Sequence, residues 1–244
     1  MRRGRSVGTY VPPEHYARVP LLELLGGVRE IEPKQQQRLA LPDLQAGEKR
    51  LDMFCAGDQS LVRHRSVAVV GSRKVSPEGV KRTQRLAREL VLAQVVVVSG
   101  LALGVDIAAH RTAIEAGGKT IAVIGTPLDT AYPVEHAAIQ EQIYRDHLLM
   151  SQFALGSRIY PTNFPQRNKI MAAITDATVI VEASDTSGAL HQAVECGRLG
   201  RWLFIMRSVV DDPKVTWPRK FLKSSTVQVL DRTTDLLQAI GVCR

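Results

Sequence analysis

The chain is poor in cysteine and in everything that cysteine would signal. Cys55, Cys196 and Cys243 are odd in number, far apart and never in C-x-x-C spacing. That excludes a disulfide framework and a zinc site. It fits a reducing compartment, so a cytoplasmic protein is expected. Cys196 falls in an apolar-periodic stretch and is expected in the core. No apolar run approaches the ~20 residues of a membrane span. Met1-Arg2-Arg3-Gly4-Arg5 is basic, but no apolar segment follows it, so it is not a secretory signal. It reads as a flexible basic tail able to add weak phosphate contacts. Also missing are a dinucleotide G-x-G-x-x-G, a Walker A loop, a hydrolytic triad and paired acids. His64, His110, His136, His147 and His191 are scattered without metal-ligand spacing. No cofactor and no metal are expected, and there is no internal repeat.

What is present is a chain of 244 residues, 45% apolar, with 32 Lys and Arg against 24 Asp and Glu, a formal net charge of +8. This is enough for one α/β domain with a small appendage or for two small domains. The positive balance favours a polyanionic partner, whether nucleic acid, nucleotide or an anionic surface, and simple solubility charge is the bland alternative. Residues 1 to about 62 differ from the rest. They hold short apolar clusters, Val19 to Leu25 and Leu39 to Leu44, with a turn and helix start at Pro33 to Gln37. A tail, one or two short helices and a lead-in are expected here, with the main domain over 63–244. From Ser66 onward β-branched runs (Val67 to Val70, Val95 to Val98, Ile121 to Ile124, Thr178 to Val181, Leu203 to Ile205) alternate with amphipathic stretches. The latter run from Pro77 to Leu92, Asp106 to Ala116, Pro133 to Arg145, Phe164 to Thr175 and Ala189 to Leu199. This pattern predicts an α/β, Rossmann-like, doubly wound and mostly parallel sheet with right-handed crossovers. Ligands of such sheets bind at the carboxyl ends of the strands.

The strand-end loops are therefore the candidates. Gly71-Ser72-Arg73 offers a tight turn, a hydroxyl and a planar fork of donors suited to phosphate, followed by Ser76-Pro77 as N-cap and first helical residue. Ser99-Gly100 and Gly104 allow a ligand close to the backbone before the next helix. Asp106 is read as capping that helix or serving the ligand, and His110 as a packed histidine or a ligand group. Tyr132-Pro133 offers a ring for a base or for the core. In Phe164-Pro165-Gln166-Arg167-Asn168-Lys169, cations stand in a first helical turn, where they oppose the helix dipole unless an anion is bound; Phe164 beside them is a stacking surface. Ser187-Gly188 again precede a helix and offer backbone N–H groups to phosphate. Lys81, Arg85 and Arg88 form a basic stripe on one helix face, read as solvated or as a nucleic-acid contact.

Taken together, these loops resemble the DprA/Smf family of DNA-processing proteins, within the wider Rossmann-like group that includes the LOG phosphoribohydrolases. The likeness runs from Phe54-Cys55-Ala56-Gly57-Asp58 to about Ile240. It passes through Gly71-Ser72-Arg73, Ser99-Gly100 with Gly104, Asp106, Ala109 and His110, then Gly117-Gly118, Tyr132-Pro133, Phe164-Pro165 with Arg167-Asn168, and Ser187-Gly188. The resemblance implies a homodimer that binds single-stranded DNA, loads the RecA recombinase and touches DNA through Arg73, Phe164, Arg167, Asn168 and Lys169, with no membrane partner. Thr126-Pro127, Gln152 and Met206-Arg207-Ser208 depart from the family pattern, and the family's common C-terminal winged helix has no counterpart before residue 244. Two other readings use the same loops. One is a sensor of a small nucleotide. The other is a LOG-like nucleotide phosphoribohydrolase, which needs a glutamate where Gln192 stands; Glu195, one turn further, is a poor replacement.

Overall fold

The computed structural model describes residues 10–26 and 51–242. The basic tail, the Pro33 to Gln37 turn, the Leu39 to Leu44 cluster and Cys243 lie outside the described residues. Among the described residues, nine strands form one sheet in the order β1-β2-β6-β5-β4-β3-β7-β8-β9. The strands are β1 (Ala17–Pro20), β2 (Asp52–Gly57), β3 (Ser66–Val70), β4 (Val96–Ser99), β5 (Thr120–Ile124), β6 (Leu148–Ser151), β7 (Ala177–Ile180), β8 (Trp202–Met206) and β9 (Val227–Leu230). All pairings from β6 to β9 along this order are parallel, and β2 joins β6 and β1 antiparallel. The expected Rossmann-like, doubly wound, mostly parallel sheet is what forms.

The helices are α1 (Leu21–Gly26), α2 (Pro77–Leu92), α3 (Val105–Glu115), α4 (Ala137–Asp146), α5 (Asn163–Ile174), α6 (Ala189–Arg198), α7 (Arg207–Val210), α8 (Pro218–Phe221) and α9 (Thr233–Ala239). Side chains alternate across each strand, so neighbouring residues serve opposite faces. Val67 and Val69 pack with Leu86 and Leu90 of α2 and Ala109 and Ala113 of α3. Ala68 and Val70 pack with Ile170 and Met171 of α5 and Ala193 and Cys196 of α6. A third apolar group joins Ile139 and Ile143 of α4 to Ala122, Ile124 and Leu149. Each large side chain so buried contributes roughly 1.5–3 kcal/mol. No helix among the described residues is long and apolar enough to cross a membrane.

Helix α2 follows its prediction residue for residue, capped by the Ser76 hydroxyl, which accepts the Gly79 N–H at 2.9 Å. Elsewhere the structure corrects the sequence reading. Four strands were not foreseen: β1, β2, β6 and β9. The β6 run Leu-Leu-Met-Ser follows a helix without a turn signal and carries no β-branched residue, so only its place between β5 and β2 makes it a strand. The predicted helix from Pro133 starts instead with a 3-10 turn, Val134–His136, before α4. The expected boundary at residue 62 falls between β2 and β3, and β1 and β2 on its N-terminal side are hydrogen-bonded into the same sheet. Where the departing Met206-Arg207-Ser208 stands, α7 forms, and Arg207 holds Asp231 through two hydrogen bonds of 2.8 and 2.6 Å.

Strand order places the candidate loops. The chain winds from β3 through β4 and β5 to β6, then returns to place β7 on the other side of β3. The switch point lies between β3 and β7, where the connections leave in opposite directions and open a crevice.

Candidate nucleic-acid interface

A cleft of about 1040 Å³ occupies this switch point. Its walls come from Gly71 to Lys74 after β3, Phe164 to Met171 of α5, Glu182 to Gln192 after β7, and Ser208 to Val215 beyond β8. Basic Arg73, Lys74, Arg82 and Lys214 line it, together with the acids Asp106, Glu182 and Asp212. Among the described residues no His, Cys, Asp and Glu cluster is placed to hold a metal.

The rim carries a cation and two rings. The Arg73 guanidinium lies 5.4 Å from the centroid of Phe164, and Tyr132 lies on the same ring at 5.6 Å and 42°. Tyr132 is 49% exposed and Phe164 half-buried, so part of each ring stays at the surface beside the Arg73 guanidinium. The three come from the loops after β3 and β5 and from the start of α5, which sequence proximity does not join.

The floor is Arg167. Its side chain is buried rather than solvated. Its Nη1 donates to the Val123 carbonyl at 2.8 Å. Burial lowers its pKa, opposed by the charge of Asp106. Gly100 is needed here because a Cβ at that position would overlap the guanidinium. Asp106 is likewise buried; burial pushes its carboxyl up, and the Arg167 charge opposes this. It does not cap α3. Gly104 stands at the cap with φ of 76°, and Asp106 accepts the Ala102 N–H at 3.4 Å from within the first turn.

Other candidates are structural. The Ser99 hydroxyl, expected at the ligand, is fully buried and donates to the Val69 carbonyl at 2.7 Å, tying β4 to β3. His110 is fully buried against Thr120 Oγ1 at 2.7 Å, and burial drives its pKa down to about 3, so the ring is neutral. Gly104 packs against the Ser72 and Arg73 carbonyls and so shapes the Gly71-Ser72-Arg73 loop from below. The Ser72 hydroxyl accepts the Lys74 N–H at 3.1 Å. Lys169 is half-buried and does not line the cleft. Lys81, Arg85 and Arg88 are exposed outside it, with Arg85 paired to Glu89 at 2.8 Å.

On the β7 side, Ser187 and Gly188 line the cleft at the start of α6, and the Asn168 amide donates to the Gly188 carbonyl at 3.3 Å. Gln192 is fully buried. Oriented so that each amide atom meets a complementary partner, its nitrogen donates to the Asn168 carbonyl at 2.8 Å, and its oxygen accepts the Thr178 hydroxyl and the Ala172 N–H, both at 3.1 Å. It clasps α5 to α6 with one donor and one acceptor. A glutamate has no N–H for Asn168.

Sequence reasoning missed Glu182, Arg82 and Lys214. Glu182 binds Ser76, 106 positions away, and no local pattern marks that pairing. Lys214 is brought to the cleft by Asp185, whose carboxylate accepts Thr216 N–H at 2.9 Å and Trp217 N–H at 3.0 Å.

Comparison with known proteins bears on this arrangement. The DNA processing protein DprA of Streptococcus pneumoniae is 42% identical over 149 residues, covering 60% of this chain and 52% of its own. A putative DprA of Mycobacterium tuberculosis is 32% identical over 197 residues, covering 80% of this chain and 50% of its own. The chain thus spans about half the length of these curated relatives. The solved structure of the S. pneumoniae DprA superposes with a TM-score of 0.73 at 30% identity over 92% of this chain and 74% of that one. A Helicobacter pylori DprA structure, whose subject is its single-stranded DNA binding mode, gives 0.70 at 26% identity over 91% and 94%. The molybdenum cofactor binding protein of Rippkaea orientalis shares the fold, with a TM-score of 0.52 at 18% identity over 73% and 96%. A family model, DNA recombination-mediator protein A, matches residues 43–241. By that match across most of its length, on a shared fold, the chain belongs to the DNA recombination-mediator protein A family.

Proposed function

We propose that this chain binds single-stranded DNA in the switch-point cleft and acts in DNA processing during recombination. The observation that carries the reading is the rim of the cleft: Arg73 on the Phe164 ring, with Tyr132 against the same ring. Unpaired bases stack on such rings while the adjacent cation meets the backbone phosphate. A duplex offers phosphates but no free base faces, so the rings favour single strands. Gly71, Ser72 and Arg73 on one wall, and Asn168, Ser187 and Gly188 on the other, are the proposed phosphate contacts. Arg167 supplies positive potential from the floor, while Lys169 stands outside the lining. The cleft binds and does not catalyse: Gln192, at the position a LOG-like hydrolase gives to a glutamate, is committed to Asn168, Ala172 and Thr178. Transfer of the strand to a RecA recombinase and action as a homodimer follow the family likeness and belong to the same proposal.

Fluorescence anisotropy with labelled single- and double-stranded oligonucleotides across salt concentrations tests this. Single strands bind more tightly, and affinity falls as salt rises. Arg73→Ala and Phe164→Ala each weaken binding by about tenfold, the order of one lost base stack or charged contact. Equal affinity for both nucleic acids, or none at low salt, defeats the reading.

A further inference from the structure

Two helix ends face the cleft from the β3 side, and protein groups already occupy both. At α3, Asp106 stands in the first turn, and the Val105 N–H donates to the Ser72 carbonyl at 3.2 Å. At α2, the carboxylate comes from across the cleft. Glu182, just past β7, accepts the Ser76 N–H on Oε1 at 2.9 Å and the Ser76 hydroxyl on Oε2 at 2.6 Å. Arg82 Nη2 approaches Oε2 at 3.4 Å. The backbone carbonyl of Glu182 accepts the Ser72 N–H at 2.7 Å. A Cβ on Gly79 would overlap the carboxylate, so the first turn of α2 has room for it only because glycine stands there. The helix ends on the other side differ. Neither α5 nor α6 has an acidic residue in its first turn, and at α6 a neutral hydroxyl, that of Ser187, accepts the Ala189 N–H at 3.3 Å.

In open parallel sheets the helix N-terminus next to the switch point is where a nucleotide phosphate sits. Here an internal anion fills it, with the acceptors and the charge that a phosphate would bring. We infer that Glu182 determines which phosphates the cleft accepts. As a resident anion it repels the doubly charged phosphomonoester and the pyrophosphate of free nucleotides more strongly than the singly charged phosphodiester. It thereby turns a nucleotide pocket into a site for a polynucleotide backbone, which passes by the starts of α5 and α6, whose first turns hold no carboxylate. The same residue positions the Gly71–Ser76 loop, its carboxylate through Ser76 and its backbone carbonyl through the Ser72 N–H. This inference rests on the cleft being the nucleic-acid site.

Competition tests it. A labelled oligothymidylate is bound to the wild type, Glu182→Gln and Glu182→Asp proteins and displaced with ADP and with inorganic pyrophosphate. Glutamine keeps an acceptor for the Ser76 N–H but releases Arg82 and removes the charge. ADP and pyrophosphate compete at least tenfold better against Glu182→Gln than against the wild type. The aspartate variant keeps the charge and stays close to wild type. Equal inhibition constants for wild type and Glu182→Gln overturn the inference, as does a gain of equal size in Glu182→Asp. If circular dichroism shows that Glu182→Gln does not fold, Glu182→Ala takes its place with the same tenfold expectation. Failure of the wild type to bind the oligothymidylate is a different result: it defeats the single-stranded DNA reading itself.

Discussion

The two walls of the cleft are written in similar residues and used in opposite ways. Gly71-Ser72, Ser99-Gly100 and Gly104 on the β3–β4 side, and Ser187-Gly188 on the β7 side, are all small residues between a strand and a helix. On the first side, protein groups fill the space those residues leave. The Ser99 hydroxyl holds β4 to β3, Gly100 makes room for Arg167, Gly104 packs under the Ser72 carbonyl, and Glu182 and Asp106 stand at the helix ends. On the β7 side the first turns of α5 and α6 hold no acidic residue, a neutral Ser187 hydroxyl meets the Ala189 N–H, and both ends line the cleft. A glycine at a strand tip therefore signals close approach, but on the β3–β4 side the approaching group is the protein itself.

If the β3–β4 wall is internally filled, intruding on it costs stability. Gly100→Ala, whose methyl must displace the Arg167 guanidinium and disturb its Asp106 partnership, lowers the unfolding free energy by about 3 kcal/mol in urea titrations. A change within a few tenths would mean that the wall is loose and that the two sides do not differ. On the β7 side, Gln192→Glu costs roughly 2 kcal/mol, because the Asn168 carbonyl loses its donor and a charge enters a fully buried position. Differential scanning calorimetry should show the lower Tm; an unchanged one would reopen the hydrolase reading.

A smaller effect separates packed from ligand-facing groups by pH. His110 is neutral in the fold with a pKa of about 3, against 6.5 for an unperturbed histidine. Between these values the unfolded chain binds the extra proton, so stability is full above pH 6.5 and falls as pH drops toward 3. From pH 7.5 to 5.5 this one group costs about 1.4 kcal/mol. Urea titrations of wild type and His110→Gln at both pH values isolate it: the variant loses less stability by about that amount. An equal loss in both proteins would place His110 in water, and with it the cleft edge of α3.

Much of the fold was legible because local chemistry and tertiary demand agree. Ser76-Pro77 sets the start of α2, and β-branched runs with near-continuous apolarity mark β3, β4 and β5. β6 was not legible, because Leu-Leu-Met-Ser suits a helix as well until neighbouring strands offer free N–H and carbonyl groups; β9, Val-Gln-Val-Leu, has strand-favouring valines but only four residues to show it. In the site, Arg73 and Phe164 could be picked from their loops. The orientation of Arg167 could not be picked, since a cation in a first turn looks the same on paper whether it points to solvent or lies under Gly100.

The alternation of strands and helices, the sign of the charge and the loops at which a ligand can meet the backbone are set at the level of the sequence. These depend on side-chain period, capping and composition, all within a few residues of one another. The tertiary structure alone decided which loops stay open. Glu182 meets Ser76 across 106 positions, Gln192 bridges α5 and α6, and Tyr132 reaches Phe164 from another loop. Each of those contacts depends on the strand order that puts β7 beside β3, and strand order is a property of the whole sheet.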